Sequence, residues 1–326
     1  MDSSSPVTAT VILLTYRQKD TVARAMESLL RQECPYRYEI LVADDGSPDA
    51  TREICAQYAA IYPDIIRMMP ESPNKGLVDN YFDAVEAAEG RYVADCAGDD
   101  EWLDPMRLQR QIDALEADAS LSAVCCDVEV LNTADGSSEV TAGKVYEGSG
   151  TPEFADGATV LKGALDSESG LPFILSSALF RREPLMALLR THPEVVRCHD
   201  GGVEDIPVIS ALGASGGVLR LPFVGYRYYI DGESLSNSRS DERQYRFTAR
   251  VSDMVRRLGD FYGMEPKDQI TFFNAKFSYM AGLARRANDP ALAADLKRRL
   301  PLWRLPLPLK ARLNLLLLKL KSRFFN

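Results

Sequence analysis

Residues 7–15 (VTATVILLT) are β-branched and aliphatic at successive positions, the pattern of a strand buried on both faces. Polar residues follow. Then Val22, Met26, Leu29 and Leu30 share one helical face, with Asp20 predicted as N-cap. Residues 39–43 (EILVA) predict a second strand, ending in Asp44-Asp45-Gly46-Ser47. Residues 49–62 predict a helix stopped by Pro63, and residues 65–69 a third strand. Residues 71–76 (ESPNKG) predict a loop, and residues 77–89 an amphipathic helix ended by Gly90. The chain is organised around residues 91–102 (RYVADCAGDDEW), where a short buried strand stops at Gly98 and two carboxylates, Asp99 and Asp100, follow at once. Asp104-Pro105 then caps a helix, and residues 121–131 (LSAVCCDVEVL) predict a long strand closed by an Asp135-Gly136 turn. Strand and helix alternating over short loops predict the α/β class, a mostly parallel sheet flanked by helices.

Residues 133–170 are polar, rich in Gly and Ser and weakly periodic, which predicts a variable excursion shaping a second substrate site. Residues 171–180 (LPFILSSALF) predict a strand, 183–191 a helix, 198–205 (CHDGGVED) a glycine-bearing turn and 206–214 a helix. Residues 218–229 predict a strand interrupted near Pro222, and residues 241–300 a helical C-terminal appendage. The tail, residues 301–326, mixes leucines with Lys and Arg and closes on Phe324 and Phe325. That mixture suits a helix lying in a membrane interface. A helix packed on the body, its cations against an acidic surface, is the competing reading.

Composition narrows the class. A hydrophobic share of 46% over 326 residues suffices for a sizeable core. The net charge of −9 conceals an asymmetry, because Lys297 to Arg323 includes nine Lys and Arg and no acid, leaving the body more acidic still. An acidic body argues against nucleic acid as a partner, since phosphate contacts need clustered cations. Six cysteines without a CxxC pattern read as reduced, buried thiols of a cytoplasmic protein. With only His192 and His199, a zinc site is not expected. Neither a signal peptide nor an apolar run long enough to span a membrane is expected.

Three acidic clusters, Asp44-Asp45, Asp99-Asp100 and Glu204-Asp205, fall at predicted strand ends or before a helix. Parallel strands end on one edge, where open α/β sheets bind ligands, so the first two clusters are expected to converge there. Carboxylates gathered at one edge repel unless a cation lies among them, and a hard divalent cation takes oxygen ligands and shares them with phosphates. The alternative for each Asp-Asp is ordinary turn chemistry.

The order of motifs resembles family 2 glycosyltransferases of the GT-A fold. The matching stretches are VILLTYRQ, EILVADDGSPDAT, NKGLVDN, EGRYVADCAGDDEWLDPMRLQRQ, SSALFRRE, GGVEDIP and GVLRLPFVGYRYYIDGESLS, spanning about residues 7–236. GDDEW followed by Asp104-Pro105 is similar to a subgroup acting in bacterial surface-polysaccharide synthesis. The resemblance implies a Rossmann-like GT-A domain over residues 1–236, with a nucleotide-sugar half (1–132) and an acceptor half (133–236), then a helical region over 237–326. It implies that Thr15 and Tyr16 contact base and ribose, that Asp45 accepts a hydrogen bond from the base, that Gly76 lets the loop pass close to the nucleotide and that Asp99 faces the ribose. Asp100 would bind Mg²⁺ or Mn²⁺ on the diphosphate, a metal site of the DXD kind, and Asp205 would be the general base of an inverting transfer. The implied partners are a nucleotide-sugar donor and a glycan or lipid-linked saccharide acceptor, with peripheral membrane contact through 301–326. The chain departs from the family pattern at Leu14, Arg17, Val78 and Asp79, and at Tyr229, where relatives often carry histidine.

Each residue has a plainer role to be weighed against the functional one. Asp45 could serve a turn, Tyr16 the core, Asp205 the N-cap of the next helix with Glu204 or Asp200 as substitute base. Trp102 reads as a packing anchor, Arg227 as ion-paired or phosphate-binding, and His199 as a polar loop residue. Two other function classes compete. A sugar nucleotidyltransferase would want a glycine-rich, Arg-containing loop where TYRQKD stands, and a degenerate glycan-binding scaffold would not need the acids.

Overall fold

The computed structural model describes residues 6–143, 146–166, 171–198, 202–230, 240–302 and 313–314. The predicted tail therefore lies almost wholly outside the described residues, as do His199 and Asp200. Two compact units divide the chain. One comprises residues 1–164, 171–197 and 204–231, and the other residues 165–170, 198–203 and 232–326.

The first unit alternates as the pattern predicts: β1 (Ala9–Thr15), α1 (Val22–Leu30), β2 (Tyr38–Asp44), α2 (Thr51–Ile61), β3 (Ile66–Met68), α3 (Leu77–Ala87) and β4 (Tyr92–Ala97). β5 (Glu101–Trp102), α4 (Arg107–Ala117), β6 (Leu121–Asn132), β7 (Ser138–Thr141), β8 (Glu153–Ala155) and α5 (Gly157–Asp166) follow. Then come β9 (Ala178–Arg181), α6 (Arg182–Thr191), α7 (Pro193–Val196), α8 (Asp205–Ser215) and β10 (Gly217–Ile230). The sheet runs β3-β2-β1-β4-β9-β6-β10-β5, with β7 beside β6 and β8 beside β10. β1, β2, β3 and β4 pair in parallel, as do β6 and β10, whereas β9 lies antiparallel between β4 and β6. The expected α/β architecture is the one observed. β1 is buried on both faces because helices cover both, which is why its sequence shows no polar alternation.

Several boundaries differ from expectation. Thr21, not Asp20, is the N-cap of α1. Arg17 adopts a left-handed φ of 57°, and the resulting turn lets Gln18 O accept from the amides of Thr21 and Val22. Residues 171–180 are not one strand. Residues 175–177 form a 3₁₀ turn, and their backbone is satisfied by α4 instead of a neighbouring strand: Arg107 Nη2 donates to Ser176 O (2.7 Å) and Gln111 Nε2 to Ser177 O (2.8 Å). The excursion of residues 133–170 contains α5, whose periodicity is too short to stand out against Gly and Ser. β10 continues past Pro222, but its register on β6 shifts between Leu221 and Val224 and again before Tyr226, as expected of a residue without an N–H.

The second unit holds α9 (Asp241–Phe261), α10 (Ile270–Arg286) and α11 (Pro290–Leu302). Phe272, Phe273, Phe277, Met280 and Leu296 are among its buried side chains, and Arg299 pairs with Asp295 (2.7 Å) and with Asp253. No helix among the described residues is long and apolar enough to cross a membrane. All six cysteines are buried, and none is in a disulfide.

Candidate active site

β2 and β4 flank β1 in parallel and finish level with it: Thr15 stands opposite Asp44, and Leu14 opposite Ala97. The first two acidic clusters therefore leave the sheet at one edge. Gly98 turns the chain there, and a Cβ on it would lie 2.5 Å from Gln18 Oε1 and 3.0 Å from Thr15 Cγ2, so a larger residue would have to displace the Gln18 side chain of the TYRQ segment.

At the β2 end both acids build the chain. Asp44 accepts from Thr15 Oγ1 (3.0 Å), Ser47 N (3.1 Å) and Ser47 Oγ (2.5 Å). Asp45, buried, accepts from Asn74 Nδ2 (2.9 Å), Lys75 N (2.8 Å) and Gly76 N (3.0 Å), which ties residues 74–76 beneath the turn. A carboxylate offers about four acceptor directions, so one remains for a further donor. Gly76 has φ 91°, a left-handed conformation that favours glycine, and a Cβ there would meet nothing within 4 Å. Tyr16 is not a core aromatic. It is 40% exposed, with the Arg17 guanidinium 5.1 Å from its ring centre.

At the β4 end the two acids separate. Asp99 is exposed, while Asp100 is 3% exposed. Asp100 is held from β10: Tyr226 Oη donates to Oδ2 (2.7 Å) and Tyr229 N to Oδ1 (3.0 Å). Burial, and then the charge of Asp99, push its carboxyl up to about 7, against the two hydrogen bonds and the Arg24 cation, which favour the ionised form. Tyr226 is itself braced by the fully buried Arg107, whose guanidinium sits 3.7 Å from the Trp102 ring and 5.4 Å from that of Tyr226. Trp102 is thus a packing anchor, as expected. Arg227 is ion-paired with Glu101 (3.3 Å) and Glu129 (2.8 Å).

The third cluster opens α8. Glu204 is the N-cap, and Asp205 is the first helical residue, accepting from Ile206 N (2.7 Å) through Oδ1. Both carboxyls are raised, first by burial. Glu204 carries in addition the repulsion of Asp205 and Asp95, whereas the amide of Ile206 restrains Asp205. Asp95 is a buried acid in the middle of β4, within 3.5 Å of Tyr81 Oη, and Tyr81 lies in the fields of Glu204 and Asp205. Asp95 was not singled out from sequence, although an acid inside the apolar run YVADCA is itself a signal. Tyr226 and Arg24 carried no such signal.

The residues fit a divalent cation of one particular kind. Among the described residues no group of three or more His, Cys, Asp or Glu side chains surrounds a common point. Asp100 keeps unused acceptor directions on both oxygens, with Asp99 next to it. That donor set suits Mg²⁺ or Mn²⁺, which bind through one or two carboxylates and complete their shell with phosphate oxygens and water.

The sequence profile of the family described as "Glycosyl transferase family 2" matches residues 10–189, more than half the chain and all of the edge just described except α8 and β10. The chain belongs to glycosyl transferase family 2. This agrees with the resemblance and the enzyme class read from the motifs. Among the curated proteins it resembles, the succinoglycan biosynthesis protein ExoO of Rhizobium meliloti is 29% identical over 232 residues, 70% of this chain and 62% of that protein. An uncharacterised protein of Mycobacterium tuberculosis is 36% identical over 106 residues, 32% of this chain and 31% of its own length. The chain therefore spans about a third of the first curated relatives it matches. In fold, this family 2 chain is similar to S. aureus TarS 1–349, solved with UDP-GlcNAc, at a TM-score of 0.56 and 18% identity over 97% of this chain and 92% of that one. It is similar also to the mannosyltransferase PcManGT of Pyrobaculum calidifontis, solved with GDP-Man and Mn²⁺, at a TM-score of 0.51 and 17% identity over 100% of this chain and 89% of that one.

Proposed function

We propose that the protein is an inverting, metal-dependent glycosyltransferase that moves a sugar from a nucleotide-sugar to a glycan or lipid-linked saccharide in cell-surface polysaccharide synthesis. Family membership, the succinoglycan role in ExoO's name and the donors bound to TarS and PcManGT support this reading. The observation that carries it is Asp100, a buried carboxylate at a strand end, clamped by Tyr226 and Tyr229 of another strand and raised to about 7. A carboxylate so costly to ionise is explained by a cation that the donor brings with it.

Residues 1–132 form the nucleotide-sugar half of this reading and residues 133–236 the acceptor half. Thr15 and Tyr16 bind base and ribose, and the exposed Tyr16 ring offers a stacking face. Asp45 holds residues 74–76 as the pocket wall and offers its remaining lone pair to a base N–H; Gly76 keeps that wall low. Asp99 faces the ribose. Asp100, with Asp99 beside it, would hold Mg²⁺ or Mn²⁺, which when bound neutralises charge on the diphosphate. Asp205 takes the proton of the acceptor hydroxyl as its oxygen bonds to the anomeric carbon, and the bond to the diphosphate breaks with its electron pair leaving on the nucleotide. Burial raises both carboxyls of the Glu204-Asp205 pair, and the repulsion between them disfavours ionising both at once, so a single carboxylate of the pair serves as the base. Asp205→Asn should keep nucleotide affinity and lose transfer by about 10²–10⁴-fold. The measurement is hydrolysis and transfer from a panel of nucleotide-sugars with Mn²⁺, together with calorimetric binding of the matching diphosphate. Collapse of nucleotide binding in that variant makes Asp205 structural. The basic, leucine-rich segment 301–326 supports a peripheral contact with anionic membrane. Sedimentation with anionic vesicles that survives truncation after residue 300 refutes it.

A further inference from the structure

Arg24 lies in the first turn of α1, which begins at the same sheet edge as the Asp99-Asp100 turn. Its guanidinium carbon stands 3.9 Å from the centre of the Tyr229 ring, and its Nη2 donates to the carbonyl oxygen of Asp99. Its Nε is buried without a hydrogen-bond partner. Two nearby arginines are neutralised: Arg31 pairs with Glu101 (3.2 Å), and Arg227 with Glu101 and Glu129. Arg24 has no carboxylate within 4 Å among the described residues, although it lies next to Asp99 and acts on Asp100 through its charge. A cation parked on a carbonyl and an aromatic face, beside acids it does not pair with, is oriented and still has most of its five N–H donors free. The same residue, Tyr229, places both partners: its ring seats Arg24 and its amide holds Asp100.

We propose that Arg24 binds the diphosphate of the donor, from the side of α1, across from the oxygens that Asp100 presents. The proposal rests on the donor-site reading above and adds to it a fixed cation of this chain. A planar guanidinium matches two phosphate oxygens at once, and charge grows on those oxygens as the bond to the sugar breaks. The stacking on Tyr229 keeps Arg24 from folding onto Asp99 when the site is empty of donor. Tyr229 then acts as a positioning residue for both charges.

The test is calorimetric binding to the full chain, with Mn²⁺ and again in EDTA. The probes are UDP, GDP and TDP, then the monophosphate and nucleoside of whichever diphosphate binds. Arg24→Gln, which keeps a donor for the Asp99 carbonyl, should weaken diphosphate binding about ten- to a hundredfold, in Mn²⁺ and in EDTA alike. It should leave nucleoside affinity and the melting temperature unchanged, with Arg24→Lys falling between. Diphosphate affinity equal to the parent's overturns the proposal. So does an equal loss of diphosphate and nucleoside with a lowered melting temperature, which would make Arg24 a strut of the Asp99 turn. If the parent chain binds none of the three diphosphates, the donor-site reading itself fails, and Arg24 with it.

Discussion

Two Asp-Asp turns leave the sheet on either side of β1, and they do opposite things. At Asp44-Asp45 both carboxylates are occupied by donors from the end of β1, their own turn and a neighbouring loop, six hydrogen bonds that close the turn and anchor residues 74–76. At Asp99-Asp100 one carboxylate stands in solvent and the other is sunk against β10, gripped by a phenol and one amide and left with capacity to spare. The first turn is held together by its acids. The second is held together around an acid. At the second turn burial, and then the charge of Asp99, push Asp100 up to about 7, with two hydrogen bonds and the Arg24 cation opposing them.

Exchanging the losses between the two turns gives the largest effect. Asp100→Asn should reduce metal-dependent turnover by about 10²–10⁴-fold, the several kcal/mol of charge stabilisation that a bound cation supplies, without lowering the melting temperature. Asp45→Ala should instead destabilise the fold by about 2–4 kcal/mol, because it orphans two backbone amides and leaves the Asn74 side-chain amide only the backbone carbonyl of residue 45. Kinetics and urea denaturation of both variants check this; a destabilised Asp100 variant with a stable Asp45 variant would invert the comparison.

A smaller effect comes from pH. The folded protein holds the Asp100 proton more tightly than the unfolded chain, whose carboxyl titrates near 3.9. The stability that proton confers is complete below the unfolded value and is lost as pH rises to about 7. In metal-free buffer Asp100→Asn should therefore be more stable than the parent at pH 8, by about 2–3 kcal/mol after allowing for a weakened hydrogen bond. The advantage should fade towards pH 4. A stability difference that does not change with pH removes the buried-charge account. The smallest effect concerns Tyr226. Tyr226→Phe removes a donor that favours the ionised carboxylate, so Mn²⁺ affinity at pH 7 should fall about tenfold, with affinity regained at pH 8.5. A loss that pH does not repair would assign Tyr226 to packing.

Much of this was legible along the chain. β1, β2 and β4 announce themselves by aliphatic runs because parallel strands covered on both faces cannot alternate, and Gly76, Gly90 and Gly98 mark where those runs turn. The acids Asp45, Asp99, Asp100 and Asp205 stood out because they come in clusters at strand ends or before a helix, where like charges repel. The short pieces were not legible. Residues 171–180 read as a strand since nothing local reveals that Arg107 and Gln111, some seventy residues earlier, take up their carbonyls. Arg24 and Tyr226 were not singled out, because nothing local along the chain shows which acids they reach.

The sequence by itself determined the alternation of strands and helices, the edge at which the acids collect and the family to which the chain belongs, since these follow from hydrophobic spacing and short motifs. Tertiary structure alone decided which pair of acids is filled and which is left wanting. That outcome depends on donors brought from β10, from the end of β1 and from the loop before α3, and a carboxylate's character is set by what surrounds it in space more than by its neighbours in the chain.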